Sequence, residues 1–267
     1  MIKDDLFQAY YLKEEQGEPL DRASSKYLKW ECLGAACPSS CCFHFSLTRI
    51  SIQEIVPLSR YFPVVFCVAE RGDRERGIDI CILMKMVMDS GGCTYLQKGA
   101  GCLLRDDKPL SCKQYPFRAA RDEGGNNTIL VRIDCPGFSG EHGHPVMTPD
   151  NTISSRLGLE CINPAIIRSD GMEETRRFVE TIISYDLIAS GQYNYRGESI
   201  PFNFIEAKRV SELPKEVRDD FRRRGYMELI FAHMSSLPGT CAKLIDTYLE
   251  RKAAQETDDT KQSLNCS

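Results

Sequence analysis

Short apolar runs in the first half of the chain have the spacing of β-strands. Residues 78–88 are mostly apolar and β-favouring, which predicts a largely buried strand, and residues 128–133 alternate as a half-buried strand does. Two shorter strands are predicted at residues 43–47 and 93–96. The first half is therefore expected to hold a sheet of short strands.

Helical spacing dominates the second half of the chain. Residues 173–189 place apolar side chains three and four positions apart and end near Gly191, which predicts an amphipathic helix. The same kind of pattern predicts further helices at residues 1–16, 214–232 and 241–255.

Two short helical elements are expected among the strands of the first half. The pattern Ser51-x-x-Glu54 is a capping box, which predicts the start of a helix. Residues 111–115 have the pattern of one helical turn that Pro116 stops.

Together these elements predict an α+β fold. The expected architecture is a small, irregular, metal-stabilised, cysteine-rich domain with short strands, followed by a mainly helical C-terminal part. We place an N-terminal helix and linker at residues 1–27, the cysteine-cluster domain at 28–145, and the helical part with a frayed tail at 146–267.

Charge and apolar content narrow the class of protein. Lys and Arg number 34 against 38 Asp and Glu, so the net charge of −4 disfavours a constitutive nucleic-acid binder, whose domain is usually basic. The longest apolar run, residues 62–69, is far shorter than the roughly 20 residues that cross a bilayer. The chain opens on acidic and polar residues rather than on a basic and then apolar leader, so no membrane association and a cytoplasmic location are expected. No glycine-rich phosphate loop occurs, and whether the protein is an enzyme, and its oligomeric state, stay open.

Cysteine is the unusual component, with 13 residues. Clustered thiols in a reducing compartment are more often metal ligands than disulfide partners, and loops with glycine and proline let thiolates converge. Four thiolates are enough for one 4Fe–4S cluster or one tetrahedral zinc ion, and eight are enough for two sites. Eight of the cysteines form such an organised set and are the predicted metal ligands: Cys32, Cys37, Cys41, Cys42, Cys93, Cys102, Cys112 and Cys135. Because neighbouring side chains diverge, Cys41 and Cys42 are expected to serve different metals, or only one of them is a ligand.

The spacing of these thiols favours iron–sulfur over zinc. Structural zinc sites commonly carry Cys-x2-Cys, which the chain lacks, whereas longer and uneven spacings beside aromatic residues suit a cluster sheltered from solvent. The run Cys37-x3-Cys41-x2-His44 is one residue away from the Cys-x3-Cys-x2-Cys signature of radical S-adenosylmethionine enzymes, but the histidine in the third place and the lack of a following βα repeat disfavour such an enzyme. His44 is more simply a solvated or core histidine, with metal ligation as the alternative. The remaining thiols are expected to be mainly small buried apolar side chains: Cys67, Cys81, Cys161, Cys241 and Cys266.

Segment 30–137 resembles the YkgJ-type cysteine-cluster family, a zinc- or iron-chelating domain. Two features depart from the family pattern: the first cysteine group is wider than usual, and Lys108 stands where an arginine is common. The motifs that carry the resemblance are Cys41-Cys42, Cys93-Thr-Tyr-Leu96, Cys102, Lys108-Pro109-Leu110-Ser111-Cys112, Tyr115-Pro116-Phe117 and Cys135-Pro136-Gly137.

The wider first group, Cys32-x-Gly34-x2-Cys37-x3-Cys41-Cys42, is similar to that of flagellin lysine N-methylases. That resemblance implies an iron–sulfur cluster and methyl transfer from S-adenosylmethionine to protein lysines, although it places no catalytic residue here.

The sequence therefore supports one expected function and two alternatives to it. The first is a cytoplasmic protein with one or two iron–sulfur clusters that serves redox chemistry or the modification of a partner protein. The second is an S-adenosylmethionine-dependent protein lysine methylase. The third is a zinc-stabilised module that binds another protein through the C-terminal helices.

Overall fold

The structure is a computed structural model, and it describes most of the chain between residues 18 and 239. The described residues are 18–20, 28–33, 36–37, 42, 47–71, 75–84, 93–97, 101–121, 127–139, 141–148, 150, 152–195, 198–237 and 239.

A five-stranded antiparallel sheet organises the described part of the chain. Its two central strands pair with each other from Val64 opposite Ile82 to Arg71 opposite Glu75. In sheet order, the strands are β12 (Ile188–Tyr195), β13 (Glu198–Ile205), β4 (Val64–Arg71), β5 (Glu75–Leu83) and β3 (Leu47–Arg49). The first half of the chain thus shares one sheet with residues far along the sequence.

The alternation of side chains along β4 and β5 divides the apolar residues between two faces of the sheet. On one face, Phe66 and Ile80 point into the main core, where both are almost fully buried. The opposite face turns Cys67 and Cys81 into a smaller apolar cluster. Both faces of the central strands are therefore buried, which explains their nearly continuous apolar sequence.

Helices cover the main core. A single 3-10 turn, Ile52–Glu54, leads into α1 (Ile55–Leu58), as the capping box predicts. The longest helix among the described residues is α4 (Asn163–Ser184), which follows α3 (Ser155–Leu157) and one π-helical turn, Gly158–Ile162. Three more helices follow the sheet: α5 (Ala207–Glu212), α6 (Lys215–Arg223) and α7 (Tyr226–Ser235).

Short strands surround a second apolar cluster that contains Trp30 and Phe117. One three-stranded sheet joins β1 (Glu18–Pro19), β9 (Asn127–Val131) and β8 (Phe117–Arg121). Another joins β10 (Phe138–Ser139), β2 (Lys29–Trp30) and β11 (His144–Pro145). A two-stranded ladder pairs β6 (Leu96–Gln97) with β7 (Gly101–Cys102), and α2 (Leu110–Gln114) follows a 3-10 turn at Arg105–Asp107.

The mixed α+β class, with short antiparallel strands and a helical C-terminal part, is confirmed. The helical turn at 111–115 is confirmed as α2, and the strand at 128–133 as β9, each within two residues. The strand expected at 78–88 is present as β5, which begins three residues earlier, at Glu75. Of the strand expected at 93–96, only Leu96 lies in a strand, β6. The expected helices 1–16 and 241–255, and residues 43–46 of an expected strand, lie outside the described residues.

Two helix predictions are wrong in their bounds. The helix expected at 173–189 ends at Ser184, because Asp186 adopts a positive φ of 52° and the chain then enters β12. The helix expected at 214–232 is divided into α6 and α7 at Gly225, whose φ is 75°. A left-handed residue ends an α-helix in both places.

No helix in the described ranges is long and apolar enough to cross a membrane.

Candidate thiol site

The structure divides the predicted ligand cysteines into two groups. The inner thiol group consists of Cys42, Cys93, Cys102 and Cys112, of which Cys93 belongs to the main core and the other three pack against it. The outer thiol group consists of Cys32, Cys37 and Cys135, of which Cys135 belongs to the second apolar cluster. Cys41 lies outside the described residues. None of the ten described cysteines is in a disulfide.

A direct backbone contact joins two members of the inner group. The N–H of Cys93 donates a 2.7 Å hydrogen bond to the carbonyl oxygen of Cys42. Cys42 therefore lies beside the segment that follows β5, although 50 residues separate the two cysteines in the sequence.

The other two inner cysteines are placed by short regular elements. Cys102 lies on β7 opposite Leu96, close in sequence to Cys93. Cys112 lies on α2, and its N–H donates to the carbonyl of Pro109 within the first turn. The β6–β7 ladder thus positions Cys102, and the helical turn α2 positions Cys112. With Cys42, these thiols come from three separate segments of the chain.

Glu54 fixes the position of α2 relative to α1. Its Oε2 accepts hydrogen bonds from the backbone N–H and the hydroxyl of Ser51, at 2.9 and 3.1 Å. Its Oε1 accepts a 2.7 Å hydrogen bond from the N–H of Leu110, the first residue of α2. Because the first N–H groups of a helix have no partner within the helix, a buried carboxylate at this position both caps α2 and anchors it.

Two tyrosines form a second link around the inner group. The hydroxyl of Tyr95, two residues after Cys93, donates to the carbonyl of Tyr61 at 2.8 Å. The hydroxyl of Tyr61 donates to Asp107 Oδ2, also at 2.8 Å, in the turn that precedes α2. Tyr95 is fully buried, so the segment carrying Cys93 is held against the core.

Burial and the charges of neighbouring thiols keep Cys93 and Cys112 protonated at neutral pH. Burial first, and then the charges of Cys42 and Cys102, raise the pKa of Cys93 to about 12, against a partial opposing effect from the N–H of Tyr95. Burial, followed by the charges of Cys93, Cys42 and Cys102, also raises the pKa of Cys112 well above its usual value.

Cys102 has surroundings that accommodate a thiolate better than those of Cys93 and Cys112. Burial raises its pKa, but the backbone N–H groups of Leu104 and Arg105 and the positive charge of Lys108 act in the opposite direction. Hydrogen-bond donors aimed at a sulfur stabilise its anion.

The outer group lies where β2 and β10 pair. Burial is the largest cause of the raised pKa of Cys135, and the charges of Cys37 and Cys32 add to it. Cys32 is exposed and Cys37 is half-buried. Cys161 borders the same group, because the charge of Cys32 contributes to raising the pKa of Cys161 to about 12, after burial and Glu160.

The cysteines expected in the apolar core behave in two ways. Cys67 and Cys81 are fully buried and hydrogen-bond each other, in agreement with the sequence prediction. Cys161 is also buried, but its position beside the outer group was not foreseen, because it stands in a helical segment outside the organised cysteine set. Cys241, Cys266 and His44 lie outside the described residues.

Within the part of the chain that the structure describes, no three or more His, Cys, Asp or Glu side chains are arranged to hold a metal ion. The predicted function as an iron–sulfur protein is therefore wrong, because no group of side chains to hold the cluster is found among these residues. The alternative function, a zinc-stabilised module that binds another protein, is wrong for the same reason. The assignment of individual ligands among the eight cysteines, and the expected cofactors, partners and cytoplasmic location, stay predictions.

Comparison with known proteins gives one match. No curated protein and no solved structure matches the chain at a significant level. A family model described as SapC matches residues 33–240, which is more than half of the chain. The resemblance to the YkgJ-type family is wrong for this reason, and with it fall the iron–sulfur and lysine methylase functions that the cysteine spacing implied. The chain belongs to the SapC family.

Proposed function

We propose that this SapC-family chain is a thiol-redox protein in which Cys42 and Cys93 form a reversible disulfide. The observation that carries the proposal is the 2.7 Å hydrogen bond from the Cys93 N–H to the Cys42 carbonyl, within a group of four thiols. A direct N–H···O=C bond places the backbones of the two cysteines in contact. Disulfides require α-carbons about 4.4–6.8 Å apart, a separation open to two residues in direct backbone contact.

Exposure distinguishes the roles of the two thiols. Cys42 is half-buried, whereas Cys93 is 4% exposed. Cys42 is therefore the thiol that meets an oxidant from solvent, and Cys93 is the resolving thiol behind it.

The oxidant class that fits these thiols is a low-molecular-weight disulfide. The Cys42 thiolate attacks one sulfur of that disulfide, the S–S bond breaks, and one small thiol leaves with a proton from solvent. The Cys93 thiolate then attacks Cys42 Sγ, which forms the protein disulfide and releases the second small thiol. Two electrons pass from the protein to the small disulfide, and the two cysteine protons balance the two thiols released.

The electrostatics of the inner group favour its oxidised form. A dithiol becomes a strong oxidant when its reduced form is stabilised as a thiolate, as at a low-pKa cysteine. Burial and the neighbouring thiols do the opposite for Cys93, whose pKa is raised to about 12. Disulfide formation removes two groups that repel one another when ionised, so the disulfide is expected to be hard to reduce, although it forms slowly at neutral pH.

Titration with glutathione redox buffers tests the proposal. Full-length reduced protein is equilibrated with mixtures of reduced and oxidised glutathione, quenched in acid, alkylated and digested for mass spectrometry. We expect a peptide linked through Cys42 and Cys93. It should be absent from the Cys42→Ser and Cys93→Ser variants and present in Cys67→Ala, a buried cysteine outside the group.

Three outcomes would contradict the proposal. The first is the absence of any linked peptide, and the second is a dominant link from Cys42 or Cys93 to Cys112 or Cys102. The third is elemental analysis that finds a stoichiometric metal ion protecting all four thiols from alkylation. That third result would instead support the metal-stabilised form of the cysteine-rich domain.

A further inference from the structure

The outer thiol group lies beside the backbone contact between the segment around Trp30 and the segment after Cys135. Trp30 of β2 is paired with Phe138 of β10. One residue further along, the N–H of Glu31 donates a 3.0 Å hydrogen bond to the carbonyl of Gly137. The next residue on one side is Cys32, and Cys135 lies two residues before Gly137 on the other.

Gly137 shows how tightly these two segments are packed. A β-carbon at this position would overlap the carbonyl oxygen of Glu31 and would lie 3.0 Å from Trp30 Nε1. Cys135 itself begins a turn, because its carbonyl accepts from the N–H of Phe138 at 3.0 Å. The turn directs the chain back toward β2, and thus toward Cys32.

We infer that Cys32 and Cys135 form a second dithiol, separate from the inner group, that exchanges with low-molecular-weight disulfides at the protein surface. Cys32 is exposed and Cys135 is 9% exposed, so the pair combines an accessible thiol with a buried one behind it. The inference does not depend on the behaviour of Cys42 and Cys93, which lie against a different apolar cluster.

The surroundings of Cys135 suit the resolving role. Burial raises its pKa, whereas the backbone N–H of Gly137 and the indole N–H of Trp30 favour its thiolate. These two donors belong to the same segments that bring Cys32 and Cys135 together. The charges of Cys37 and Cys32 also act on Cys135, which places both thiols near it.

The exchange step proceeds from the accessible thiol. The Cys32 thiolate attacks a sulfur of the small disulfide, whose S–S bond breaks, and one small thiol departs with a proton from solvent. The mixed disulfide at Cys32 is then attacked by the Cys135 thiolate, which closes the Cys32–Cys135 bond and releases the second small thiol. The protein loses two electrons and two protons, which the two released thiols carry.

Exposure also sets the order of the two oxidations. The exposed Cys32 meets oxidant before the half-buried Cys42, so the outer pair is expected to close first. In a time course with oxidised glutathione, the mixed disulfide should appear at Cys32 first, followed by the Cys32–Cys135 link, and only later by any link in the inner group.

The experiment follows this time course by acid quenching, alkylation and mass spectrometry on the full chain. Cys135→Ser should accumulate the mixed disulfide at Cys32 at least tenfold over wild type, since nothing resolves it. Cys37→Ser, which removes the neighbouring half-buried thiol, should still form the Cys32–Cys135 link. A Cys93→Ser background removes the inner pair, and the outer link should form there at an unchanged rate.

Each other outcome overturns the inference. Links from Cys135 to Cys37 or to Cys161 would reassign the pair, and loss of the link in Cys37→Ser would do the same. Absence of any mixed disulfide at Cys32 would remove the exchange step. Failure of the outer link in wild type alongside a normal Cys42–Cys93 link would reject this inference and leave the proposed function standing.

Discussion

Glu54 Oε1 accepts a 2.7 Å hydrogen bond from the backbone N–H of Leu110, which lies 56 residues further along the chain. The carboxylate is buried, and its other oxygen is bonded to Ser51, so one side chain caps two helical elements at once. Because Leu110 begins the helix that carries Cys112, the position of an inner thiol depends on this carboxylate.

Replacing this carboxylate is expected to destabilise the fold and to loosen the thiol site. Glu54→Ala removes the acceptor of the buried Ser51 N–H and of the partly buried Leu110 N–H, which costs about 1–3 kcal/mol of unfolding free energy. Urea denaturation measures this loss, and alkylation of Cys112 in the native state should become faster. Glu212→Ala, in an exposed pair with Lys208, is the control and should change neither quantity.

Gly137 is expected to tolerate no side chain. In Gly137→Ala the new methyl group overlaps the Glu31 carbonyl and pushes apart the segments that carry Cys32 and Cys135. A forced contact of this kind costs about 1–3 kcal/mol.

The matched control for this substitution is Gly158→Ala. Nothing lies within 4 Å of a β-carbon at Gly158, and its backbone is helical at φ −54° and ψ −48°, so alanine should stabilise there by up to about 1 kcal/mol. The melting temperatures of the two variants, measured by thermal unfolding, test these two predictions. Equal effects at the two glycines would show that the contact with Glu31 is relaxed in solution.

His233 is expected to make the protein sensitive to mild acid. Its Nε2 accepts a 2.9 Å hydrogen bond from the N–H of Ile205, and complete burial lowers the pKa from 6.5 to about 4. The unfolded chain therefore binds a proton that the folded chain does not, so stability falls as the pH decreases below about 6.5 and through the folded value. A shift of this size corresponds to about 3 kcal/mol between those limits.

Urea unfolding at several pH values tests the role of His233. His233→Gln retains an acceptor for Ile205 without a titrating ring, and its unfolding free energy should decline less between pH 6.5 and 4 than that of the wild type. Parallel pH profiles for the two proteins would assign the acid sensitivity to other groups.

Local patterns predicted the elements whose partners lie nearby. The capping box at Ser51 and the helical turn before Pro116 depend on neighbouring residues, and both are present. The hairpin of β12 and β13 was missed because Gly191 was interpreted as a helix end. Its strand character comes from a distant partner, since Asn203 pairs with Phe66 of β4.

The candidate site was predictable in its members but not in its arrangement. Spacing identified the organised cysteines, and the structure separates those it describes into two groups on different apolar clusters. That separation depends on tertiary contacts, such as the bond between Cys93 and Cys42, which no spacing rule contains. The prediction of a metal site failed because the spacing of cysteines along the sequence does not determine whether their thiols meet in the geometry that a metal ion needs.

The raised pKa of Cys93 is expected to govern how the inner group reacts with alkylating agents. Only the thiolate is nucleophilic, and burial with neighbouring thiol charge raises the pKa from 9.0 to about 12. The alkylation rate of Cys93 in the folded protein should therefore rise about tenfold per pH unit between about pH 8 and pH 10, without levelling near 9. Stopped alkylation with peptide mass spectrometry measures this rate, and the exposed Cys32 in the same digest is the internal reference.

The same shift has a consequence for stability at alkaline pH. A thiol whose pKa is higher in the folded than in the unfolded chain stabilises the fold fully below the unfolded value near 9, and that contribution is lost as the pH rises toward 12. Cys93→Ala removes the titrating group, so its unfolding free energy should fall less steeply above pH 9 than that of the wild type. Urea unfolding from pH 8 to 10.5 compares the two slopes. An alkylation rate of Cys93 that levels off near pH 9, together with parallel stability profiles of Cys93→Ala and the wild type, would mean that Cys93 is solvated in the native protein. The low reactivity expected of the inner dithiol at neutral pH would then have no electrostatic basis.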